Sequence, residues 1–518
     1  MRVGIIFVFV DYHRNGAHHR GFLQPQIGPL IAALLPDDID IEVINDTWED
    51  PDWERDYDLL FISGMHSDFD RARQISHYWR RRGAKTVYGG SMASSYPQLC
   101  QPFFDAVVVG DPEGSVPRVY RDFCAGKLQA LYKATPYDPL QVPIPRFDLL
   151  AKKQILPLGL EATRGCPFNC NFCALTGIGT RFHVRPTESV VRDLNAGRSI
   201  LCKLVSTLRL SFVLFYDNNI GGSPRYLRHL CQALEPLGIR WGSSITFNAI
   251  ANVELVRMMS RSGCRFLFVG LESFNPETLS DMRKFQNAID KTRRVIEQCH
   301  EHGILVGSGL MLSPQIDDLD YLRSIPEQLH DCGIHVPWYV CFETPIPGTP
   351  HFHALAAQPR PALLPNALLR DFNTYTLVVR PQKMSIEEFV GEYKWLLEII
   401  YAPRNRAAKL LHDLPRMLKR GWYSTALLDL IDQYQESYRP DESRTYVAGS
   451  DREPPEAYGV PLTPDDFESE SQRFAVMEPW LVSDADGRIL PMWSDSRRVY
   501  ERKSRVAELN IDSVTTAG

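Results

Sequence analysis

A chain of 518 residues exceeds what one hydrophobic core ordinarily supports, so two or three domains are expected. Its 44% apolar and 23% charged residues describe a soluble globular protein, and a formal net charge of -6 argues against a nucleic-acid backbone or an anionic membrane surface as partner. No apolar run approaches the roughly 18 to 20 residues of a transmembrane helix.

The opening apolar segment 1–10 runs straight into Asp11-Tyr12-His13-Arg14 without a small-residue cleavage site, so it reads as a buried first strand and a cytoplasmic protein is expected. Strands are predicted over 3–10, 39–44, 58–63, 85–88 and 106–109, with helices over 29–35 and 71–82. Strands separated by helical stretches imply right-handed crossovers and a parallel, doubly wound, flavodoxin-like sheet within residues 1–135. Prolines 136, 139, 143 and 145 cannot continue a helix and mark 136–155 as a linker.

A second alternating series follows in 156–355, with strands over 157–163, 211–216, 240–246, 265–270, 305–312 and 337–343. Six such units predict a partial, open relative of the βα barrel, whose active residues sit at the carboxyl ends of the strands. From 356 to 518 a helical region is expected, with helices over 386–400 and 410–430 and a loosely ordered final stretch of about seventy residues rich in Asp, Glu, Ser and Pro.

Of the eleven cysteines, eight are dispersed (Cys100, Cys124, Cys202, Cys231, Cys264, Cys299, Cys332, Cys341) and read as small buried hydrophobes. The other three crowd into Cys166-Pro167-Phe168-Asn169-Cys170-Asn171-Phe172-Cys173, directly after a predicted strand. Three thiolates on one short loop can each take a different iron of a cubane [4Fe-4S] cluster, leaving the fourth iron open to the amino and carboxylate groups of S-adenosylmethionine (SAM). The alternative is a structural zinc site, which needs a fourth ligand that only Cys202 or His183 offers, at a distance.

The spacing Cys166-x-x-x-Cys170-x-Phe172-Cys173 resembles the signature of the radical SAM superfamily. That resemblance implies an iron-sulfur centre on the three cysteines, an adenine face at Phe172, and cofactor contacts from Gly270, Glu272 and Ser273 at the fourth barrel strand and from Gly309 at the fifth. Asp217, in Phe215-Tyr216-Asp217-Asn218-Asn219 after the second strand, is expected to be catalytic. For Asp217 and Glu272, strand-end capping or a loop salt bridge is the alternative. Thr344-Pro345-Ile346-Pro347-Gly348 resembles the turn after the last barrel strand.

In the first unit, Ser63-Gly64-Met65, Gly89-Gly90-Ser91 and Gly110-Asp111-Pro112-Glu113, with Asp11-Tyr12-His13-Arg14-Asn15-Gly16, resemble the strand-end loops of cobalamin domains. In a doubly wound sheet such loops face one ligand. Met65 stands where leucine is usual, and the cobalamin-dependent radical SAM subgroup does not use a histidine ligand, so His13 reads equally as part of a polar loop with His18, His19 and His66.

The resemblance is to class B methyltransferases of this subgroup. It implies cleavage of SAM to a 5′-deoxyadenosyl radical, hydrogen abstraction from an inert carbon of an organic substrate, methyl transfer from methylcobalamin, and an electron donor such as flavodoxin or ferredoxin. Relatives that cyclise or rearrange their substrates, or insert oxygen, keep the same cofactors and remain the alternative. A methylthiotransferase is disfavoured because the first unit has only Cys100 and Cys124. A cobalamin or redox sensor is disfavoured because no output module is evident. Phe389, Tyr393, Trp395 and Tyr401 either cap an apolar substrate, as a resemblance to hopanoid methylases implies, or form plain core.

Overall fold

Val3, Ile5 and Ile6 of β1 (Arg2–Phe7) are all fully buried, because both faces of a parallel sheet are covered. A computed structural model describes residues 1–8, 26–46, 49–151, 158–180, 182–200, 212–358, 362–364, 367, 369–419, 446–448 and 460–463. The expected His13 loop, with His18 and His19, lies outside them, as do Cys202, the 420–430 part of the second C-terminal helix and nearly all of the acidic tail.

Five more strands follow β1: β2 (Asp40–Asn45), β3 (Leu59–Gly64), β4 (Lys85–Gly90), β5 (Ala106–Val109) and β6 (Leu131–Lys133). They form one parallel sheet in the order β2-β1-β3-β4-β5-β6. Alternation along β3 sends Leu59 and Phe61 to the face packed by Val116, Val119 and Ile31, while Leu60 and Ile62 meet Phe69, Ile75 and Trp79 of the helix Phe69–Arg81. Strand β6 has no counterpart among the expected strands. It is three residues long, and its one strong signal is the fully buried Tyr132.

The second sheet holds β7 (Leu158–Leu160), β10 (Val213–Phe215), β11 (Trp241–Ile245), β12 (Cys264–Glu272), β13 (Leu305–Leu312) and β14 (Tyr339–Phe342), all parallel and adjacent in chain order. This is the expected open six-stranded partial barrel. The expected first strand over 157–163 is shorter. The chain leaves the sheet after Leu160, and β8 (Thr163–Arg164) pairs antiparallel with β9 (His183–Val184).

The open sheet has two edges, β7 and β14, and the C-terminal region meets the second of them. The helix Ile386–Ile400, begun by a Ser385–Glu388 capping box, covers it: Phe389 and Tyr393 pack on Phe342, and the Tyr393 hydroxyl donates to Val340 O at 2.9 Å. Phe389, Tyr393 and Tyr401 are therefore core, with Trp395 packed against it, and no cap over the barrel mouth is made from them.

Among the described residues of the C-terminal region, Ile386–Ile400 and Pro403–Lys419 are helical, whereas 362–364, 367 and 369–384 are largely irregular, with Leu364 N bonded to Val378 O. Leu369, Phe372, Val378 and Val379 share a core with Trp79 and Tyr88 of the first sheet unit, so the irregular backbone is held by burial. Among the described residues, no helix is long and apolar enough to cross a membrane.

Candidate active site

The three cysteines lie on the loop that leaves β7. Asp217, at the end of β10, accepts hydrogen bonds from Ala162 N (2.8 Å), Thr163 N (3.0 Å) and Thr163 Oγ1 (3.1 Å), which turns the chain out of the sheet just before Cys166. Burial pushes its carboxyl up to about 7, against the pull of these donors. With both oxygens engaged, Asp217 acts through the loop it holds, as a positioning residue.

Asn219, fully buried, aims Nδ2 at Cys166 Sγ (3.6 Å) while its Oδ1 accepts from Thr246. Gln286 Nε2 points at Cys170 Sγ (3.6 Å). Asn171 bonds Met282 O through its backbone N–H and Asp281 O through its amide, and its carbonyl accepts from His351 N. Three separate strand ends thus fix one short loop.

The three thiols are free of disulfides, and N–H donors aimed at sulfur suit thiolates. Burial pushes Cys173 up to about 11 and raises Cys170 as well, so ionising these thiols requires positive charge at the site. Iron supplies it in a cluster, and the donor set fits one.

Glu272 stands at the end of β12, where the register with β13 shifts, and has a positive φ of 64°. Its carboxylate folds back over Gly270, where an added Cβ would lie 2.1 Å from Glu272 Oε1, and takes Lys284 Nζ at 2.7 Å. A non-glycine residue held there carries about 1–3 kcal/mol of backbone strain, a common feature of ligand clamps. Burial pulls the Lys284 ammonium down, but Glu272 and Cys170 together hold it above its ordinary value. The same ammonium sits 5.9 Å from the Phe172 ring centroid.

Two neighbours depart from expectation. The Ser273 hydroxyl is fully buried and committed to Tyr321 Oη (2.7 Å) and Asn275 N (3.0 Å), so it shapes the loop and presents nothing to a cofactor. At Gly309 the close approach that glycine permits is made by the Tyr339 ring, 2.3 Å from an added Cβ.

Across from this edge lies the carboxyl edge of the first sheet. Ser63, next to last in β3, lies beside Gly89, Met65 follows the strand with half its surface exposed, and Ser91 Oγ lies 3.2 Å from His66 Nδ1. Gly90 has a φ of 108°, and a Cβ there would meet Gly64 O at 2.6 Å, so only glycine fits. Gly110 N donates to Ser94 Oγ. Glu113, expected at a cofactor, instead gives both oxygens to Arg164 at 3.0 Å each. Arg164 also binds Asp111 and Glu161, and the short helix Ser91–Ser95 packs on Ala174–Ile178 after Cys173. The two carboxyl edges therefore face one another.

Residues 160–325 match the sequence profile of the Radical SAM superfamily. The chain carries a radical SAM domain. Over 381 residues the protein is 25% identical to bacteriochlorophyllide d C-12(1)-methyltransferase of Chlorobaculum tepidum, covering 72% of this chain and 81% of that one. It is 26% identical to hopanoid C-2 methylase of Rhodopseudomonas palustris over 57% of each.

Among solved structures, the radical SAM methyltransferase TsrM from Kitasatospora setae, with cobalamin and a [4Fe-4S] cluster bound, superposes with a TM-score of 0.56 at 15% identity, over 77% of this chain and 88% of that one. The cobalamin-dependent radical enzyme OxsB, with aqua-cobalamin and SAM bound, gives 0.57 at 14% identity over 100% and 81%. Both share the fold of a first α/β unit set against a radical SAM barrel.

Local sequence pattern gives little sign of Arg164, Lys284 and Gln286 within 160–325, or of Glu343 and His351 beyond it. Lys284 and Gln286 follow a short helix in a polar stretch whose spacing resembles any solvated turn. Arg164 sits two residues before Cys166, and that adjacency was its available signal.

Proposed function

We propose that the protein is a cobalamin-dependent radical SAM enzyme that methylates an unactivated carbon. The observation that carries this reading is the facing of two carboxyl edges, the cysteine loop on one and the Met65 and Gly89-Gly90 loops on the other, fastened through Arg164 and Glu113. Residues 1–135 would then hold cobalamin, 156–355 the cluster and SAM, and 356–518 the barrel's open edge.

Cys166, Cys170 and Cys173 would ligate the cluster. Lys284 and Glu272 present one cation and one anion side by side, which complements the carboxylate and ammonium of an amino acid, and Phe172 and Gly270 supply a flat and an open wall beside them. Ser63, Met65, Gly89, Gly90, Ser91 and Gly110 line the corrinoid side, where the strand order reverses next to β1 and β3 and such sheets bind ligands. When bound, the cluster delivers one electron to SAM and cobalamin supplies the methyl group. The chain's own contribution is position and exclusion of water. Met282, Met311 and Cys341 are buried and wall the cysteine loop with Phe172, Tyr339 and Tyr375.

The relatives are named for bacteriochlorophyllide and hopanoid substrates. We take a polycyclic, largely apolar metabolite as the substrate class here, acted on in the cytoplasm with a reduced flavodoxin or ferredoxin as electron donor. The test is anaerobic reconstitution of the full chain with iron, sulfide and hydroxocobalamin, then reduction with SAM carrying a labelled methyl group. Formation of 5′-deoxyadenosine and label in a carbon-bound methyl are expected. No 5′-deoxyadenosine overturns the radical reading, and 5′-deoxyadenosine with unlabelled product moves the assignment to cyclisation or rearrangement.

A further inference from the structure

Glu343 follows β14 with only 1% of its surface exposed, and neither carboxylate oxygen makes a hydrogen bond of normal length, the Ser313 hydroxyl nearby only partly offsetting its burial. Its backbone N–H is bonded to Leu312 O, which locks the residue at the barrel's carboxyl edge. His351, in the first turn of the helix Pro350–Ala356 and 4% exposed, places Nε2 3.7 Å from Glu343 Oε1. Asp281, the exposed last residue of the helix Pro276–Asp281, brings a third donor, and the three ligand atoms lie within 4.8 Å of one another.

A separation of 3.7 Å is too long for a hydrogen bond. Ligands about 2.0–2.2 Å from a tetrahedral ion lie about 3.3–3.6 Å from each other, so it suits two ligands on one metal. A buried carboxylate without a hydrogen bond of normal length is costly unless it coordinates or is paired, and a metal relieves both buried groups at once.

We propose that Asp281, Glu343 and His351 form a second metal site, for a divalent first-row cation, separate from the cysteine cluster. One imidazole and two carboxylates, with no thiolate, favour Mn2+, Fe2+ or Zn2+. The two carboxylates match a charge of +2. The exposed side at Asp281 leaves room for a further oxygen ligand from water or substrate. Asn171 connects this site to the cluster loop, because it bonds Asp281 O, Met282 O and His351 N while standing next to Cys170. The ion would brace the loop through Asn171. The inference does not depend on the methyltransferase reading.

The test uses full-length, cluster-loaded protein passed over a chelating resin and titrated with Mn2+, following loss of the free six-line EPR signal, with Zn2+ as competitor. One tight Mn2+ per chain, displaced by one equivalent of Zn2+, is expected. Its affinity should fall at least tenfold in Glu343→Gln and in Asp281→Asn, and stay unchanged in Asp320→Asn, an exposed acidic control. Iron content per chain reports whether each variant keeps its cluster loop. If Glu343→Gln loses iron, the exposed Asp281→Asn decides alone. The proposal is overturned if the wild-type chain binds no tight Mn2+, or if iron-replete Asp281→Asn binds it as well as the wild type does.

Discussion

Arg164 gives one Nη to each carboxylate oxygen of Glu113, both at 3.0 Å, across 51 residues of chain. Arg164 stands two residues before Cys166 and Glu113 lies in the loop after β5, so this one fork-to-fork pair joins the two sheet edges. Their side chains are 16% and 6% exposed. Breaking a buried pair leaves an uncompensated charge and costs about 3–5 kcal/mol. Arg164→Met strands Glu113, Asp111 and Glu161 together. It should lower the unfolding midpoint more than Glu113→Gln, which leaves Arg164 two other carboxylates. Equal midpoints in denaturant melts would show that the pair does not fasten the edges.

Asp217→Ala removes the acceptor from two buried backbone N–H groups, each worth about 1–3 kcal/mol when left unmatched. Because those groups precede Cys166, iron per chain after reconstitution should fall severalfold. A variant that binds iron normally would place the control of this loop elsewhere.

Gly89 and Gly90 should separate stability from ligand binding. An added Cβ at Gly89 meets nothing nearer than Val108 at 4.0 Å, whereas at Gly90 it meets Gly64 O at 2.6 Å with φ at 108°. Gly90→Ala should cost at least about 1–3 kcal/mol. Gly89→Val should melt like the wild type yet retain severalfold less cobalt, measured by metal analysis. Normal cobalt retention in Gly89→Val would remove this loop from the corrinoid side.

Lys284→Met leaves Glu272 buried and unpaired, so it should be unstable, while Lys284→Arg keeps the charge. If Lys284 binds the SAM carboxylate, Lys284→Arg should raise the SAM concentration needed for half-maximal 5′-deoxyadenosine formation by about tenfold, about 1.4 kcal/mol, with a smaller effect on the maximal rate. An unchanged SAM dependence would assign Lys284 to holding Glu272 alone.

His66 is buried, and burial pulls its imidazole down to about 4 from 6.5. The folded state therefore keeps it neutral. Its contribution is fully present above pH 6.5 and is lost between pH 6.5 and 4, as the unfolded chain takes a proton that the fold refuses. The loss amounts to roughly 3 kcal/mol. His66→Gln should flatten that part of the stability profile, read from denaturant melts at pH 7, 5.5 and 4.5, and an unchanged slope would show another group responsible.

Local pattern was enough for the two parallel sheets, apart from β6 and the β8–β9 pair, and for the helix Ile386–Ile400 and the cysteine loop. A strand's period, a helix's caps and a four-then-three cysteine spacing are all written in neighbouring residues. Where reading failed, the deciding contact lay far away in the chain. Asp217 meets Ala162 across 55 residues, Gln286 meets Cys170 across 116, and Ser273 and Glu113 are spent on Tyr321 and Arg164 rather than on a cofactor.

The amino-acid sequence by itself therefore determined that three thiols lie together at the end of a barrel strand, and hence the kind of cluster chemistry they support. Only the tertiary structure decided what surrounds them: the Lys284–Glu272 pair, the facing Gly89-Gly90 edge and the Asp281, Glu343 and His351 group. Each of those meetings is produced by crossovers that return parallel strands side by side with their carboxyl ends level, and no local periodicity records which distant side chains that brings together.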